Sequence, residues 1–499
     1  MSRDPRAFLQ TPRRDPPTRP PQERARDWGE VEQPLPTSEL IAQARRCMGC
    51  GVPFCHQGCP LGNEIPAWNE LVGSAADPTH EAARWQRAAE RLHATNNFPE
   101  ITGKICPAPC ERACVLDLSE QAVTIRGIES AIASRAFAEG WVTPKPAARA
   151  TGKRVAVIGS GPAGLAAAQQ LVRVGHAVTV FDKAPRAGGL LRYGIPDFKL
   201  DRKRLDLRLQ QLRAEGVEFA LGQAVGTDVT PAQLRSDFDA ILLAIGAEKP
   251  RPLGVPGDDL PGVVAAMDYL CDANRVVAGE QDAPRIDAAG RHVVILGGGD
   301  TGADCLGTAL RQGAASVHHF HYKPAPAGTR EETPWPWAPM TLHSTSHDEG
   351  GERGWSLLAR QVLGEGRAEL LRCERVDWER ADGQSGEGGR MRMRPRGEFE
   401  EFAADLVLVA TGFVGVRGAS WLDALGVERD AGGRVRTAGR YATTADGVWV
   451  AGDARRGASL VVHAIAEGRG AARAIDVALM GQSALPDVAG DDSFGALPG

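Results

Sequence analysis

The chain has 499 residues, 42% of them hydrophobic and 24% charged, with a net charge of −5. That length supports two or three globular domains, and the slight acidity leaves no footprint for nucleic acid. No apolar run is long enough to span a bilayer and the N-terminus lacks the apolar stretch of a secretory signal, so a reducing cytoplasm is the expected setting.

Residues 1–36 are rich in proline and arginine, among them Arg13, Arg14, Pro16, Pro17, Pro20 and Pro21. The composition suits a loosely ordered arm; the alternative is a strap against a partner or the next domain. A helix is expected from Glu39 towards Cys47, capped by Thr37 or Ser38. It runs into Cys47-Met-Gly-Cys50-Gly-Val-Pro-Phe-Cys55-His-Gln-Gly-Cys59-Pro60, and a second set follows as Cys106, Cys110 and Cys114. The bacterial ferredoxin run is C-x2-C-x2-C-x3-C-P, and its fourth cysteine serves the other cluster. Here two residues are added before the third cysteine, while the last step and the proline are kept. Soft thiolates suit iron held as a cubane with sulfide, so two [4Fe–4S] clusters are expected. Zinc prefers four ligands in C-x2-C pairs, and a disulfide framework suits a short secreted chain; both fit the spacing less well. Seven cysteines fall one short of two cubanes, so either one iron takes another ligand or one cluster is smaller. Under the ferredoxin rule Cys47, Cys50 and Cys55 share a cluster with one cysteine of the second set, taken as Cys114; Cys59 joins Cys106 and Cys110 in the other. Segments 64–76 and 79–95 and a helix near 124–139 carry apolar residues at helical spacing, for example Ile65, Trp68 and Leu71. A helical cluster domain is therefore expected over 37–148, with a linker at 142–150.

Next comes an apolar strand, Arg154-Val-Ala-Val-Ile158, and then Gly159-Ser160-Gly161-Pro162-Ala163-Gly164 opening a helix. The following strand, from His176 to Phe181, ends in Asp182. In such a βαβ unit the glycines let backbone approach a pyrophosphate, the helix N-terminus supplies N–H groups, and the acid takes ribose hydroxyls. The pattern recurs as the strand His292-Val-Val-Ile-Leu296 and the turn Gly297-Gly-Gly299-Asp300-Thr301-Gly302, with a strand at 316–320. Here His321 stands where the ribose-binding acid belongs, with Lys323 close by. Lack of an acid admits a 2′-phosphate and favours NADPH; the alternative is surface histidines and NADH. Two later pieces read as the rest of a flavin site: a strand from Asp405 to Val409 leading to Gly412, and a strand ending in Gly452-Asp453, with a helix starting at Ser459. The helix N-terminus suits the reduced flavin ring, Asp453 suits the ribityl chain, and Gly189 lets the chain pass close by. Cys271, Cys305 and Cys373 read as buried small hydrophobes. With no C-x-x-C between the fingerprints, dithiol chemistry is not expected. The Trp335-Pro-Trp337 stretch and residues 349–355 read as structural or loop-like, and 381–390 as a flexible hairpin tip.

The expected fold is α/β: a helical two-cluster domain, then two doubly wound nucleotide-binding domains with the NADPH domain inserted into the FAD domain. The boundaries are an arm at 1–36, the cluster domain at 37–148, the first FAD-binding segment at 149–262, the NADPH domain at 263–404, the returning FAD-binding segment at 405–485 and a tail at 486–499.

Three separated motifs carry a family resemblance: Asp4-Pro-Arg-Ala-Phe8, the Cys47 run continuing as Leu-Gly-Asn-Glu-Ile65-Pro66, and Arg455-Arg-Gly-Ala-Ser459-Leu-Val-Val. Together they resemble the small (beta) subunit of bacterial glutamate synthase. The resemblance implies that NADPH gives a hydride to FAD and that the clusters pass single electrons to a large (alpha) subunit. There ammonia from glutamine and 2-oxoglutarate become glutamate. The module is also similar to the N-terminal region of dihydropyrimidine dehydrogenase, in which a glutamine supplies the eighth cluster ligand. The matching position here is Glu129, so the resemblance implies a carboxylate ligand; a salt-bridging surface glutamate is the alternative. An electron-input subunit of the same build serving a pyrimidine reductase or a ferredoxin/sulfide oxidoreductase remains a rival, as does a zinc-stabilised scaffold.

Overall fold

The computed structural model describes residues 6–74, 80–326, 333–337, 342–380 and 391–488. The hairpin tip expected at 381–390 lies outside them, as does Asp4 of the opening motif.

The first body is helical, with main helices Thr37–Arg45, Ile65–Gly73, Glu81–Thr95, Pro99–Ile105 and Ile125–Ala138. Their apolar stripes meet in one core: Trp68, Val72, Leu92, Ile101, Ile128 and Ile132 are fully buried. Each such side chain contributes about 1.5–3 kcal/mol of transfer free energy. The expected cap is corrected. Pro36 is the N-cap residue, no side chain caps the helix, and Thr37 and Ser38 lie in its first turn.

Among the described residues thirteen strands follow: β1 (Arg154–Ile158), β2 (Ala177–Asp182), β3 (Glu218–Leu221), β4 (Ala240–Leu243), β5 (Val263–Ala265), β6 (His292–Leu296), β7 (Ser316–His321), β8 (Glu352–Trp355), β9 (Leu357–Leu363), β10 (Leu370–Arg380), β11 (Met391–Ala403), β12 (Leu406–Val409) and β13 (Val448–Val450). They form two five-stranded sheets, β13-β4-β1-β2-β3 and β5-β12-β6-β7-β8, and a three-stranded sheet, β11-β10-β9. The five-stranded sheets are parallel throughout, and β9–β11 pair antiparallel. Helices cover both faces of a parallel sheet, so its central strands read as unbroken apolar runs; β1 and β4 do.

Two expectations change here. The sequence pattern puts β12 in the returning half of the flavin domain, but it lies between β5 and β6 in the second sheet. The chain crosses back only afterwards, where Phe413 bridges Pro250 and the Gly412 carbonyl accepts from the Arg251 N–H. Residues 352–355, expected as loop, form β8; the polar sequence has no strand pattern of its own, and pairing with β7 supplies the order.

The N-terminal arm is a strap, not a loose tail. Arg13 reaches Glu111 and the Ala122 carbonyl in the helical body. Glu30 pairs with Arg204 beside the first sheet. Arg24 is fully buried and pairs with Glu349, which also binds Arg311 of the second nucleotide-binding domain. Proline-rich backbone has few of its own hydrogen bonds to satisfy, so such a segment gains order from side-chain anchors on its surroundings.

Candidate functional site

The short helices Phe54–Gln57 and Pro109–Arg112 bring the two cysteine sets together. They pack so closely at Gly58 that a Cβ there would stand 2.5 Å from that of Ala113. Cys47, Cys50, Cys55 and Cys114 line one cavity. Burial raises the Cys55 thiol, and its neighbours Cys114, Cys47 and Cys50 raise it further. Cys59, Cys106 and Cys110 form a second group with Glu129: the Glu129 charge raises all three thiols, Cys59 raises Cys106, and Cys59 and Cys106 raise Cys110. Burial pushes Cys59 up to about 11, against backbone N–H groups of Asn63, Leu61 and Gly62 that favour its thiolate. The Ala108 N–H likewise donates to Cys106 Sγ.

Buried sulfurs that repel one another as thiolates, yet receive N–H donors, fit a multi-iron cation that neutralises them. Among the described residues no group of three or more His, Cys, Asp or Glu is gathered tightly enough for a single ion. A cubane spreads its four thiolates over four metal corners and needs no such convergence.

Glu129 is no surface residue. It is 5% exposed, and its Oε1 accepts from Asn96 Nδ2 at 2.9 Å and Thr102 Oγ1 at 2.5 Å. Burial raises its pKa to about 7, while Thr102, Arg126 and Asn96 oppose the rise.

At the first fingerprint, helix Pro162–Arg173 begins at the tip of β1. A Cβ on Gly164 would stand 2.0 Å from the Gly159 carbonyl oxygen, and one on Gly189 would stand 2.8 Å from Gly161 Cα. Gly452 closes from the third side, where a Cβ would stand 3.0 Å from that of Ala163. A Cβ on Gly161 itself would meet nothing within 4 Å, so this edge of the loop is open to a phosphate. The Asp182 carboxylate is fixed at the end of β2 by the Ser160 N–H (2.8 Å), Ser160 Oγ (2.5 Å) and the Ala184 N–H (2.8 Å). Asp453 follows β13 and accepts from the Ser459 N–H and hydroxyl, with burial raising its pKa to about 6. These residues fit a dinucleotide, and the helix at Val461 starts just beyond them.

The second fingerprint repeats the geometry. Gly297 rests on the Ala410 carbonyl, where a Cβ would stand 2.2 Å away, and Gly299 faces open space. Helix Asp300–Gln312 begins with Asp300, and Thr301 and Gly302 occupy its first turn. Gly412 is thereby relocated: the Ala410-Thr-Gly412 turn underlies the second fingerprint, whereas the turn beneath the first is Ala244-Ile-Gly246, where a Gly159 Cβ would stand 2.4 Å from the Ala244 oxygen. The signal that distinguishes them is a repeat, an apolar strand followed by Ala-x-Gly, present at both β4 and β12.

His321 is 2% exposed and stacked on Trp355 at 4.0 Å. Burial lowers its pKa to about 3, so it is neutral. It lies beside Gly298 of the fingerprint, where it carries no negative charge to oppose a 2′-phosphate and no positive one to attract it. Lys323 is exposed just past β7. Trp335 does more than shape its own loop. It packs on Phe54 at 4.4 Å and donates to the Cys114 carbonyl, closing the first cysteine group from the second nucleotide-binding domain.

Two family models match this chain. One, described as dihydropyrimidine dehydrogenase domain II, 4Fe-4S cluster, covers residues 24–141. The other, pyridine nucleotide-disulphide oxidoreductase, covers 153–334 and 375–468. The glutamate synthase [NADPH] small chain of Mycobacterium tuberculosis is 52% identical over 492 residues, covering 97% of each chain. The chain belongs to the glutamate synthase small-chain family. As such it is an oxidoreductase with an electron-input role. The glutamate synthase [NADH] of Schizosaccharomyces pombe is 40% identical over 498 residues, 96% of this chain but 23% of that longer protein. Among solved structures, Mycobacterium tuberculosis FprA in complex with NADPH matches with a TM-score of 0.53 and 21% identity, over 66% of this chain and 84% of that one, a likeness of fold. No described helix is long and apolar enough to cross a membrane.

Proposed function

We propose that this chain oxidises NADPH in the cytoplasm and delivers the electrons to a large glutamate synthase subunit, which forms glutamate from glutamine and 2-oxoglutarate. The observation that carries the reading is the coupling of two sulfur-rich groups to two dinucleotide-binding folds in one chain. When bound, FAD takes two electrons as a hydride and releases them singly, and two [4Fe–4S] clusters relay single electrons. Gly159, Ser160, Gly161, Pro162, Ala163 and Gly164 cradle the FAD pyrophosphate, Asp182 holds its ribose, and Gly189, Gly452, Asp453 and Ser459 line its further length. Gly297, Gly299, Asp300, Thr301, Gly302 and Gly412 frame the NADPH site, with His321 and Lys323 at its 2′-phosphate end. Cys47, Cys50, Cys55 and Cys114 ligate one cluster; Cys59, Cys106, Cys110 and Glu129 ligate the other. The helical body excludes water from the sulfurs, since Cys47, Cys55, Cys59, Cys110 and Cys114 are all buried.

Asn97 ties the cluster domain to the flavin domain. Its Nδ2 donates to Gln169 Oε1 on the fingerprint helix, and its Oδ1 accepts from Arg469 on helix Val461–Met480. Its neighbour Asn96 holds Glu129. A short bonded path thus joins the flavin domain to the second cysteine group. The test is dye reduction by the purified chain with NADPH and with NADH at equal concentration, followed by glutamate formation on adding the large subunit. Faster turnover with NADH, or no gain in glutamate formation, would overturn the reading.

A further inference from the structure

Helix Asp300–Gln312 opens with an anomaly for a phosphate-binding helix. Two carboxylates, Asp300 and Asp304, lie within its first five residues. Acids there are favoured by the helix dipole, but they compete with an incoming pyrophosphate for the same positive field. Asp304 is buried, 3% exposed, and burial raises its pKa to about 6. The countercharge comes from the other nucleotide-binding domain. Lys199, in the segment between helix Leu190–Tyr193 and helix Arg202–Ala214, places its Nζ 2.5 Å from Asp304 Oδ1. Its side chain is 19% exposed, and Asp304, Asp300 and Glu349 all stabilise its charge. The neighbouring Phe198 lies under Arg311 of the same helix at 3.8 Å and against Gly307. Segment 196–200 thus lies along this helix, and Lys199 reaches the end where the fingerprint opens.

We propose that Lys199 is a positioning residue for NADPH. Its ammonium neutralises the acidic N-terminal end of the second fingerprint helix, so that the helix accepts a pyrophosphate only while the two nucleotide-binding domains are in contact. The inference rests on the second fingerprint being the NADPH site. Neutralising Asp304 and attracting phosphate are the same electrostatic act, so removing the two partners has opposite effects. Lys199→Met removes the ammonium from beside Asp300 and the pyrophosphate and weakens binding, while Asp304, which burial already raises, takes up a proton more readily. Asp304→Asn removes a carboxylate while keeping the ammonium, and does not weaken binding.

The experiment is anaerobic stopped-flow bleaching of the flavin by NADPH in the full-length protein loaded with FAD and iron. Half-saturating concentration and limiting rate are read separately. In Lys199→Met the half-saturating NADPH rises about tenfold, the weight of one charge-assisted contact, with a smaller change in limiting rate; Lys199→Arg restores it. In Asp304→Asn it stays level or falls. An unchanged half-saturation in Lys199→Met overturns the proposal. So does an equal rise in Asp304→Asn, which would make the pair a mere pin between domains. Gly299→Val tests the underlying reading separately, because its Cβ stands in the open edge of the fingerprint. If Gly299→Val bleaches with normal half-saturation, the site assignment fails; if it does not bleach while Lys199→Met saturates normally, only the role of Lys199 fails.

Discussion

Glu349→Gln offers a sharp test of the strap. Glu349 lies between Arg24 and Arg311, whose side chains are both 1% exposed. Its Oε1 receives Arg24 Nε at 2.8 Å and Arg311 Nη2 at 3.2 Å, and its Oε2 receives Arg311 Nη1 at 2.5 Å. Asp348 stands farther off, 3.6 Å from Arg24, and is 44% exposed. The amide keeps the volume and one acceptor but removes the buried anion between two guanidiniums. Breaking a buried pair costs about 3–5 kcal/mol, and the isosteric change sits at the lower end, about 3 kcal/mol. In a multidomain chain that cost appears as local opening and not as a single melting transition. Opening of the arm should rise roughly a hundredfold. Hydrogen exchange measured by mass spectrometry reports it: residues 18–32 lose protection while peptides from β1 and β6 keep theirs. Unchanged protection of the arm would show that Arg13 and Glu30 hold it without the buried triad, and would refute the reasoning.

Gly161→Leu fills the open edge of the first fingerprint; the purified protein should lose FAD and retain its iron, and normal flavin content would remove the site from that loop. Glu129→Ala should disturb only the cluster held with Cys59, Cys106 and Cys110, leaving about half the iron labile; a full iron content with an unaltered paramagnetic resonance spectrum would place the eighth ligand elsewhere. Acid should loosen the second nucleotide-binding domain. His319 and His321 are buried, with pKa values lowered to about 4 and about 3. Their folded values lie below the unfolded value near 6.5, so the folded state binds fewer protons; stability is full above that pH and is lost as pH falls. Each histidine costs up to about 1.4 kcal/mol per pH unit below about 6.5. Exchange protection of β6 and β7 should therefore drop between pH 7.5 and 5.5, less so in His321→Phe; equal protection at both values would contradict this.

Both fingerprints are legible because glycine spacing, strand and helix are contiguous in sequence, and local chemistry dictates local geometry. Spacing under the ferredoxin rule sets Cys47, Cys50 and Cys55 apart from Cys59, but it does not say which cysteine of the second set joins them, and Cys114 is a choice there. The strap is not decidable from sequence, because its anchors Arg204, Arg311 and Glu349 lie far along the chain and proline-rich composition says nothing of them. The sheet that β12 joins is hidden for a related reason. A strand's sequence records burial on two faces, not which neighbours it pairs with, and both sheets demand the same apolar run. The placement of Trp335 over Phe54 is hidden likewise, since a Trp-Pro-Trp stretch carries no mark of a contact 221 residues away at Cys114. His321 shows the opposite limit. Its identity is informative, but its charge depends on burial against Trp355, which only the folded structure supplies.

The most direct test of electron input is an anaerobic titration of the full-length protein with NADPH, followed by visible absorption and low-temperature paramagnetic resonance on the same sample, with iron and sulfide analysis alongside. The predicted result is about eight irons per chain, bleaching of a flavin band on adding NADPH, and resonance signals from reduced clusters. A protein that carries iron but whose flavin NADPH leaves oxidised, or one that is colourless and holds zinc, would contradict it.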